Sequence, residues 1–418
     1  EPDVTSAENY VAPENDTERA ICEIFGTVLG LEVANIGADD DFFKMGGDSI
    51  SSIQLVNRIR QTFSVQISVK DIFAAKTVRR LSELVERQKG NRSSVISEQG
   101  LLGGEVMLSP IQEWFFDIKA KGMIPAYNHW NQSFLINVPL LDMDRLKLSI
   151  DKLLEYHDAL RMGYTIGTEG YGQAYDTSVS EYTIRRLDVS QYADERQVAE
   201  ILTAWQSELD IFNGKVFTVG YLSGYTDGNA KLFFAFHHLV IDTVSWRIIK
   251  DDLEKIYFYY ADNPQDDTAS AEKILGGKAT SYRQWTERII KNYPETYSDE
   301  KEYWDKMTSG IADTNKILEG IKCDEYVFTT ISFDEEKTEK LLRDINGVYN
   351  TGMNDLLLTA LAASLPVVTG NKQNHILLEG HGREELWDNV DISNTAGWFP
   401  SMYPVRIDAS DGELASRI

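Results

Sequence analysis

Cysteine is nearly absent from the 418-residue sequence, which contains only Cys22 and Cys323. Two cysteines leave room for at most one disulfide. Because Cys22 lies on the apolar side of a predicted helix, we expect a buried free thiol rather than a disulfide or a metal ligand. No apolar run approaches the roughly 20 residues that a membrane helix needs, and the acidic start does not resemble a signal peptide. These features predict a cytoplasmic protein, and the abrupt ends predict that the chain is part of a longer one.

Basic residues are scarce, since 41 lysines and arginines oppose 66 aspartates and glutamates and give a formal charge of -25. Such a surface repels a phosphate backbone and an anionic membrane, so neither nucleic acid nor a membrane is an expected partner. A glycine-rich nucleotide-binding motif is also missing. Hydrophobic residues, at 42%, are frequent enough for sizeable cores, and the length suits a small domain followed by a larger or two-lobed one.

Four short helical patterns follow one another before the first glycine- and serine-rich stretch. Residues 16–29 have apolar side chains at helical spacing, with Asp16 as the predicted N-cap and Gly30 just past the end. A second helix is predicted to begin at Ser49, a third to cover residues 69–73, and a fourth to follow a Thr77 cap. The second helix is expected to direct inward the side chains of Ile50, Ile53, Val56 and Ile59. These patterns predict a compact helical bundle.

Residues 89–104 contain several glycines and serines without helical periodicity, which predicts a flexible linker and a domain boundary. Beyond this linker, strand-like apolar runs alternate with helical stretches. The strand-like runs are residues 134–138, 232–236 and 376–378, and the helical stretches are residues 143–154 and 354–365. The second part of the chain is therefore predicted to be mixed α/β.

Ser49 is the first candidate site. Residues 41–50 read DFFKMGGDSI, which places this serine where a glycine-rich loop becomes a helix. Adjacent glycines permit close backbone approach, and a helix start offers free N–H groups and a positive dipole end that suit a phosphate ester. The alternative is that Ser49 only caps its helix.

A second candidate site is the pair of histidines at the end of an apolar strand, His237 and His238, with Asp242 four residues beyond the second. A strand end holds an imidazole rigidly, and a nearby carboxylate can fix the ring or its loop, which suits proton transfer. Successive strand residues point to opposite faces, so we expect only one histidine to enter a pocket. A metal site is not predicted, because adjacent histidines do not easily share one ion and a third ligand is missing at a diagnostic spacing.

Glu379 closes another apolar strand and is followed by glycines. An apolar environment favours the protonated form of a carboxylate, which brings it toward acid/base chemistry at neutral pH. The alternative is a structural pair between Glu379 and Arg383.

Residues 12–88, with their DFFKMGGDSI segment and four helices, resemble the carrier (thiolation) domain of nonribosomal peptide synthetases. The resemblance implies that Ser49 receives a 4′-phosphopantetheine arm whose thiol carries an aminoacyl or peptidyl group, with Gly47 and Asp48 beside the attachment site. Many carriers have histidine at the position of Asp48. Aspartate there is associated with a following epimerization domain.

Five later segments, in order, resemble the motifs of epimerization domains, which are relatives of condensation domains. They are residues 109–116 (SPIQEWFF), 237–246 (HHLVIDTVSW), 350–358 (NTGMNDLLL), 379–384 (EGHGRE) and 397–404 (GWFPSMYP). Condensation domains share the histidine segment, but they lack EGHGRE and do not typically have tryptophan at the place of Trp246. This difference favours the epimerization subfamily.

The resemblance implies acid/base catalysis by His238 and Glu379. Supporting roles are implied for His237, Asp242, Trp246, Asn354, His381 and Arg383, with Asp242 organising the loop. Three positions depart from the family pattern: Thr243, Asn394 and Pro400 stand where glycine, arginine and threonine are usual. Thr243 is expected to crowd the cleft beside His238.

The expected fold is a small all-α four-helix carrier bundle followed by an α/β two-lobed domain similar to chloramphenicol acetyltransferase and the condensation superfamily. The predicted boundaries are 12–88 for the carrier, 89–104 for the linker, 105–270 for the N-terminal lobe and 271–418 for a C-terminal lobe, which we expect to be incomplete.

The implied function is nonribosomal peptide synthesis, in which the second domain converts a carrier-bound L-residue to an L/D mixture by removing and returning its α-proton. The implied partners are an upstream adenylation domain, a downstream condensation domain or synthetase, and a phosphopantetheinyl transferase. Two alternatives remain open: a condensation domain that forms peptide bonds, and a catalytically inert module that docks carriers.

Overall fold

The computed structural model describes residues 10–89, 95–168, 170–178, 182–192, 194–311, 329–345 and 351–410. Cys323, Asn350 and residues 90–94 of the predicted linker lie outside the described residues. The chain divides into two compact units, one within Glu1–Glu295 and His381–Pro400 and the other within Thr296–Gly380 and Ser401–Ile418. The domain boundaries predicted from the sequence stay predictions.

The first unit begins with four helices, which confirm the predicted bundle. They are α1 (Asp16–Leu29), α2 (Ser49–Phe63), α3 (Val69–Ala75) and α4 (Val78–Gln88). Each helix begins after a side chain that accepts a hydrogen bond from a backbone N–H of the first turn, which satisfies one of the free donors there. The N-cap of α1 is Asn15 rather than the predicted Asp16, which is the first helical residue. Gly30 ends α1 in the left-handed conformation.

The core of the bundle is apolar and contains the free thiol predicted from the sequence. Phe25, Phe42, Ile59 and Leu81 are fully buried. Cys22 is buried and free, and burial, followed by the nearby carboxylates, raises the pKa of its thiol to about 11. The thiol is therefore protonated at neutral pH and is a packing residue.

In the described residues, the rest of the first unit contains two sheets and seven helices, the last of which ends at Thr296, just past the boundary of the unit. A three-stranded antiparallel sheet has the order β1 (Gly104–Val106), β4 (Gly170–Tyr175), β3 (Met162–Gly167). A four-stranded sheet has the order β2 (Asn131–Val138), β7 (Ala230–His237), β6 (Phe217–Ser223), β5 (Ile184–Asp188). Only β5 and β6 run parallel in the four-stranded sheet. β7 lies between β2 and β6, so it reads as a continuous apolar run.

The helices of this part are α5 (Pro110–Ala120), α6 (Met143–Tyr156), α7 (Glu195–Gln206), α8 (Thr243–Asp262), α9 (Ala271–Leu275), α10 (Tyr282–Lys291) and α11 (Tyr293–Thr296). α6 packs against α8. A 3₁₀ turn, His238–Val240, joins the end of β7 to α8, so the two predicted histidines lie where the central strand ends. The strands and helices predicted for this region are confirmed.

The second unit contains the antiparallel pair β8 (Gln373–Gly380) and β9 (Ser401–Asp408). The helices among its described residues are α12 (Glu300–Met307), α13 (Glu335–Glu339) and α14 (Met353–Thr369), with a π-helical segment at Lys340–Ile345. The predicted strand 376–378 and helix 354–365 fall inside β8 and α14. Among the described residues, no helix is both long and apolar enough to span a membrane.

The turn before α2 requires glycine at position 47 for packing within the bundle. A Cβ on Gly47 would lie 2.3 Å from the Phe42 ring and 2.7 Å from the Phe42 carbonyl oxygen. The sequence predicted close approach by another protein or by the cofactor. The close neighbour in the structure is an aromatic ring of the same domain.

Gly47→Ala is therefore expected to destabilise the bundle by about 1–3 kcal/mol, because the added methyl group has to displace a fully buried ring. Hydrogen–deuterium exchange of the intact chain localises the effect, with faster exchange expected in residues 16–88. Gly163→Ala is the control, because its Cβ would lie 3.9 Å from the nearest atom. Equal exchange in the two variants would contradict this packing role.

Candidate functional site

Ser49 is the first residue of α2, and it is exposed. The N-cap is Asp48, whose carboxylate accepts from the Ser51 N–H at 2.7 Å, so the cap does not depend on the Ser49 hydroxyl. Ser49 is therefore not the N-cap of α2, as the alternative interpretation of the sequence required. An exposed hydroxyl at the start of a 15-residue helix fits the attachment of a phosphate ester, because the helix dipole and free N–H groups favour negative charge there.

Asp48 stays negatively charged beside this hydroxyl. Partial burial raises the pKa of Asp48, but hydrogen bonds from Ser51 and the positive charge of Arg247 outweigh burial, and the net pKa lies below its usual value. A cavity of about 420 Å³ opens beside the loop, lined in part by Asp48, Ser51, Arg247 and Lys250. The loop therefore adjoins a space that leads along α8.

The bundle packs against α8 through an apolar contact. Ile53 of α2 is buried with Val244 and Ile248 of α8, and Ile50 and Val69 pack against this cluster. The sequence predicted that Ile50 and Ile53 face the interior of the bundle. They face α8 instead, while Val56 and Ile59 fill the bundle core. A helix that contacts two neighbours has two apolar stripes, which periodicity in one sequence does not separate.

Ion pairs surround the apolar contact between the carrier and α8. Arg60 is 2.7 Å from Glu385 and 2.8 Å from Asp391, and Arg58 is 2.6 Å from Asp251. Glu385 also accepts from the Val69 N–H at 2.9 Å. Burial raises the pKa of Glu385, and Arg60 only partly offsets that effect. The carrier thus contacts both α8 and the segment that follows the EGHGRE motif.

His237 is the structural member of the histidine pair. Its ring is fully buried, with Nε2 2.9 Å from the Tyr127 carbonyl oxygen, and its Nδ1 accepts from the Leu239 N–H at 3.2 Å. Burial lowers the pKa of His237 to about 4. The ring is therefore neutral at physiological pH, and it supports the turn that carries the next histidine.

His238 is half-buried, and its ring lies against Trp398 with a centroid distance of 5.1 Å. Nδ1 is 2.9 Å from the Ile241 carbonyl oxygen, and Nε2 is 2.8 Å from the side-chain nitrogen of Gln132. The Oε1 atom of the same Gln132 accepts from the indole N–H of Trp246 at 2.8 Å. Both ring nitrogens thus have a hydrogen-bond partner, which fixes the orientation of the imidazole.

Asp242 lies where the histidine loop meets α8, and its carboxylate is bonded to both α8 and Arg383. It is the N-cap of α8, where it accepts from the Ser245 N–H at 2.7 Å, and it forms a buried ion pair with Arg383 at 3.0 Å. The guanidinium of Arg383 also donates to the carbonyl oxygens of Ile392 and Thr395. The carboxylate partner of Arg383 is Asp242, which gives the EGHGRE segment a direct connection to the histidine loop.

Gln112 of the SPIQEWFF motif and Tyr164 of β3 both form hydrogen bonds to the histidine loop. The buried Gln112 side chain and the Tyr164 hydroxyl both donate to the Leu239 carbonyl oxygen at 3.2 Å. Gln112 also caps α5 by accepting from the Ser109 N–H at 3.0 Å. Two segments that are distant in sequence therefore hold the carbonyl group of Leu239, the residue after His238.

Of the remaining predicted residues, Glu379 and Asn354 belong to the second unit, and His381 and Thr243 belong to the first. Glu379 is exposed in β8, opposite Met402 of β9, and Asn354 is exposed in the first turn of α14. His381 accepts from the Arg383 N–H at 3.0 Å. Thr243 is exposed at the start of α8. Across the described ranges, three or more His, Cys, Asp or Glu residues do not gather in a way that could hold a metal ion.

Gln132 was not predicted from the sequence. The signal that points to it is polarity, because Asn131, Gln132 and Ser133 open a strand that is otherwise apolar on its inner face. In register, Gln132 lies opposite Phe236, two residues before His238.

Comparison with known proteins places these features in a family. Residues 19–85 match the phosphopantetheine attachment site and residues 103–418 match the condensation domain. Fold and site thus define a carrier followed by an enzyme domain of the condensation superfamily. The chain belongs to the condensation domain family, and the preceding carrier gives it the arrangement of a nonribosomal peptide synthetase fragment. The carrier match identifies covalent 4′-phosphopantetheine as the cofactor, and Ser49 fits its attachment.

The chain is 35% identical to N-(5-amino-5-carboxypentanoyl)-L-cysteinyl-D-valine synthase of Penicillium rubens and 36% identical to one of the linear gramicidin synthase proteins of Brevibacillus parabrevis. These alignments cover 96% and 95% of this chain but 10% and 8% of those proteins. The chain therefore spans about a tenth of the length of these relatives.

Two solved structures share the fold. The epimerization domain from the third module of tyrocidine synthetase B is 30% identical, with a TM-score of 0.64 over 78% of this chain and 71% of that one. The condensation domain from Monacolin K polyketide synthase is 16% identical, with a TM-score of 0.55 over 78% of this chain and 72% of that one.

Charge reversal at Arg60 is expected to loosen the carrier from the segment that follows the EGHGRE motif, because Glu385 and Asp391 would then face a third carboxylate. A loss of about 2 kcal/mol corresponds to roughly 30-fold faster exchange of the Val69 amide. The measurement is residue-resolved hydrogen exchange of Arg60→Glu.

Arg80→Glu on the exposed face of α4 is the matched control for this charge reversal. Combining Arg60→Glu with Glu385→Arg is expected to restore part of the protection, because the pair is reversed rather than removed. Unchanged Val69 exchange in Arg60→Glu would show that the ion pairs do not hold the carrier in place.

Acid is expected to destabilise the first unit through His237. Its folded pKa of about 4 lies below the ordinary value of 6.5, so its contribution is complete above pH 6.5 and is lost as the pH falls toward 4. The loss amounts to about 3 kcal/mol. Denaturant unfolding of wild type and His237→Gln at pH 7 and pH 4.5 measures it, with a smaller loss expected in the variant. His129→Gln, at an exposed histidine, is expected to behave as wild type.

Proposed function

We propose that the second domain is an amino-acid epimerase that acts on the aminoacyl or peptidyl group held by the carrier. The observation that carries this proposal is the similarity to an epimerization domain at 30% identity over 78% of the chain. The name of the Penicillium relative supports it, because D-valine is part of that name. The geometry of His238, with both nitrogens positioned at the end of a rigid strand, suits proton transfer.

The chemistry requires one acid/base group on each face of an α-carbon. The 4′-phosphopantetheine group on Ser49 supplies a thiol that holds the substrate as a thioester, which acidifies the neighbouring C–H bond. His238 and Glu379 are the two acid/base groups. One removes the α-proton, and the other, or a water molecule that it orients, returns a proton to the opposite face. Backbone N–H groups, or His238 once it has accepted a proton, stabilise the negative charge that develops on the carbonyl oxygen.

The proposed setting is an assembly line that makes a secondary metabolite such as a peptide antibiotic. An upstream adenylation domain selects and loads the amino acid, and a phosphopantetheinyl transferase modifies Ser49 beforehand. A downstream condensation domain or synthetase accepts the inverted residue. The length of the relatives, about ten times that of this chain, supports a protein that works among further domains.

Peptide-bond formation is the second candidate function, because the family match is to condensation domains and they share the histidine segment. The two functions differ in the fate of the α-hydrogen. A condensation domain joins two carrier-bound groups and leaves that hydrogen in place, whereas an epimerase exchanges it with solvent. A docking module without activity does neither.

The test is to load Ser49 with an L-aminoacyl-pantetheine, incubate the chain in heavy water, release the amino acid and analyse it. Deuterium at the α-carbon together with the D-isomer is expected. His238→Ala and Glu379→Gln are each expected to slow this exchange by about 10²–10⁴-fold, since each removes one acid/base group. His129→Ala and Glu302→Gln are matched controls at sites outside the proposed machinery, and they are expected to exchange at the wild-type rate.

Two results would point to the other candidates. An amide product from an added acceptor carrier, with the α-hydrogen retained, would identify a condensation domain. Wild-type chain that gives neither exchange nor amide, although Ser49 is loaded, would identify a docking module.

A further inference from the structure

The tautomer of His238 follows from its hydrogen-bond partners. Nδ1 lies 2.9 Å from the Ile241 carbonyl oxygen. A carbonyl oxygen can only accept, so Nδ1 has to carry the hydrogen. In a neutral ring the lone pair then lies on Nε2, the nitrogen that faces Gln132.

The orientation of the Gln132 amide is also determined by chemistry. The indole N–H of Trp246 can only donate, and it lies 2.8 Å from one end of the amide, which therefore has to be the oxygen. The other end, the NH₂ group, faces His238 Nε2 at 2.8 Å and donates to it. A donor-only indole thus fixes the orientation of the amide, and the amide in turn fixes the tautomer of the neutral imidazole.

Trp246 is itself held rigidly. Its ring meets Phe134 edge-on at a centroid distance of 3.8 Å and Phe236 at 5.1 Å. Phe134 lies on the edge strand β2 and Phe236 on the neighbouring strand β7, and Trp246 lies in the first turn of α8. The indole N–H therefore has one direction available to it, toward the strand that carries Gln132.

The charged groups around this chain of bonds are paired in other ways. Asp242 on α8 is bonded to Arg383, and His237 on β7 is neutral with bonds to two backbone groups. Within the first unit, the partners that decide the state of His238 are therefore the uncharged Ile241 carbonyl, Gln132 and, through Gln132, Trp246.

We infer that Gln132 and Trp246 are positioning residues that fix the tautomer of the neutral His238 ring, with hydrogen on Nδ1 and the lone pair on Nε2. A proton added at Nε2 would point at an NH₂ donor, and turning the amide over would place that NH₂ group against the Trp246 N–H. Nε2 is therefore the nitrogen of the neutral ring that can accept a proton. This inference rests on the proposed function only for the acid/base role of His238.

The arrangement also gives a physical reason for tryptophan at position 246. An aromatic residue without a donor, such as phenylalanine, would pack against the same two rings but would leave the Gln132 amide free to turn. Packing against the two rings does not require the indole N–H group. That group is required to orient the Gln132 amide.

The test is ¹⁵N NMR of the histidine side chains in the intact chain, with the His238 signals assigned by their loss in His238→Gln. At neutral pH the wild type is expected to show a protonated Nδ1 and an unprotonated Nε2. Gln132→Glu is expected to protonate both nitrogens at the same pH, because a carboxylate accepts from both Trp246 and Nε2–H. Trp246→Phe is expected to give exchange-averaged signals.

The same variants are then compared in the α-hydrogen exchange assay. Gln132→Met and Trp246→Phe are expected to lower the rate by about 10–100-fold, as for other residues that orient a reacting group, and Gln132→Glu is expected to move the acidic limb of the pH–rate profile to higher pH. Gln61→Met and Trp304→Phe are matched controls, one on the carrier and one in α12, and they are expected to leave spectrum and rate unchanged.

Unchanged His238 signals in both Gln132→Glu and Trp246→Phe would overturn the inference, whatever the rates. Signals of His237 that match the wild type show that a variant is folded. If the His238 signals shift as expected but even the wild type never exchanges an α-hydrogen, the tautomer assignment stands and the proposed function fails.

Discussion

The buried ion pair between Asp242 and Arg383 is the interaction on which the rest of the first unit depends. Both side chains are nearly inaccessible to water, and removing one partner of such a pair costs about 3–5 kcal/mol because the other charge stays buried. Asp242 ends the histidine turn and begins α8, while Arg383 holds the carbonyl oxygens of the segment that follows. Gly382 permits this approach, since a Cβ there would lie 1.7 Å from the Phe399 carbonyl oxygen. In the EGHGRE segment, the arginine is therefore needed to pair with Asp242 of the histidine loop, and the second glycine is needed for the close approach to Phe399.

Helix α8 connects the two functional regions of this unit. Its first turn fixes the histidine loop through Asp242 and supplies Trp246, and its next turns contact the carrier through Ile248 and Asp251. The segment that contains Arg383 also contacts both regions. Arg383 binds Asp242 of the histidine loop, and Glu385, two residues later, binds Arg60 of the carrier. The carrier thus rests on the same elements that hold the proposed catalytic histidine, and it presents Ser49 from the end of a helix that is anchored there.

Much of the fold was predictable, because it depends on short-range patterns. The helix starting at Ser49 follows from a glycine-rich loop and an apolar period, and the central strand β7 follows from an unbroken apolar run. The errors have local physical causes. Asn15 and Asp16 are both good caps, so the choice between them depends on backbone angles, and Ile53 belongs to a second apolar stripe whose partner, α8, lies almost 200 residues away. Gln132 was missed because one glutamine in a strand carries no periodic signal.

The sequence by itself determined which residue types are available at each end of each element: a serine at a helix start, histidines at a strand end, a glutamate followed by glycines. Their order along the chain was enough to indicate the family. The tertiary structure decided which atoms meet, and therefore which histidine is structural, which carboxylate pairs with Arg383 and which nitrogen of His238 carries its hydrogen. Hydrogen-bond direction depends on distances of about 3 Å between groups that are remote in sequence, and only the folded backbone sets those distances.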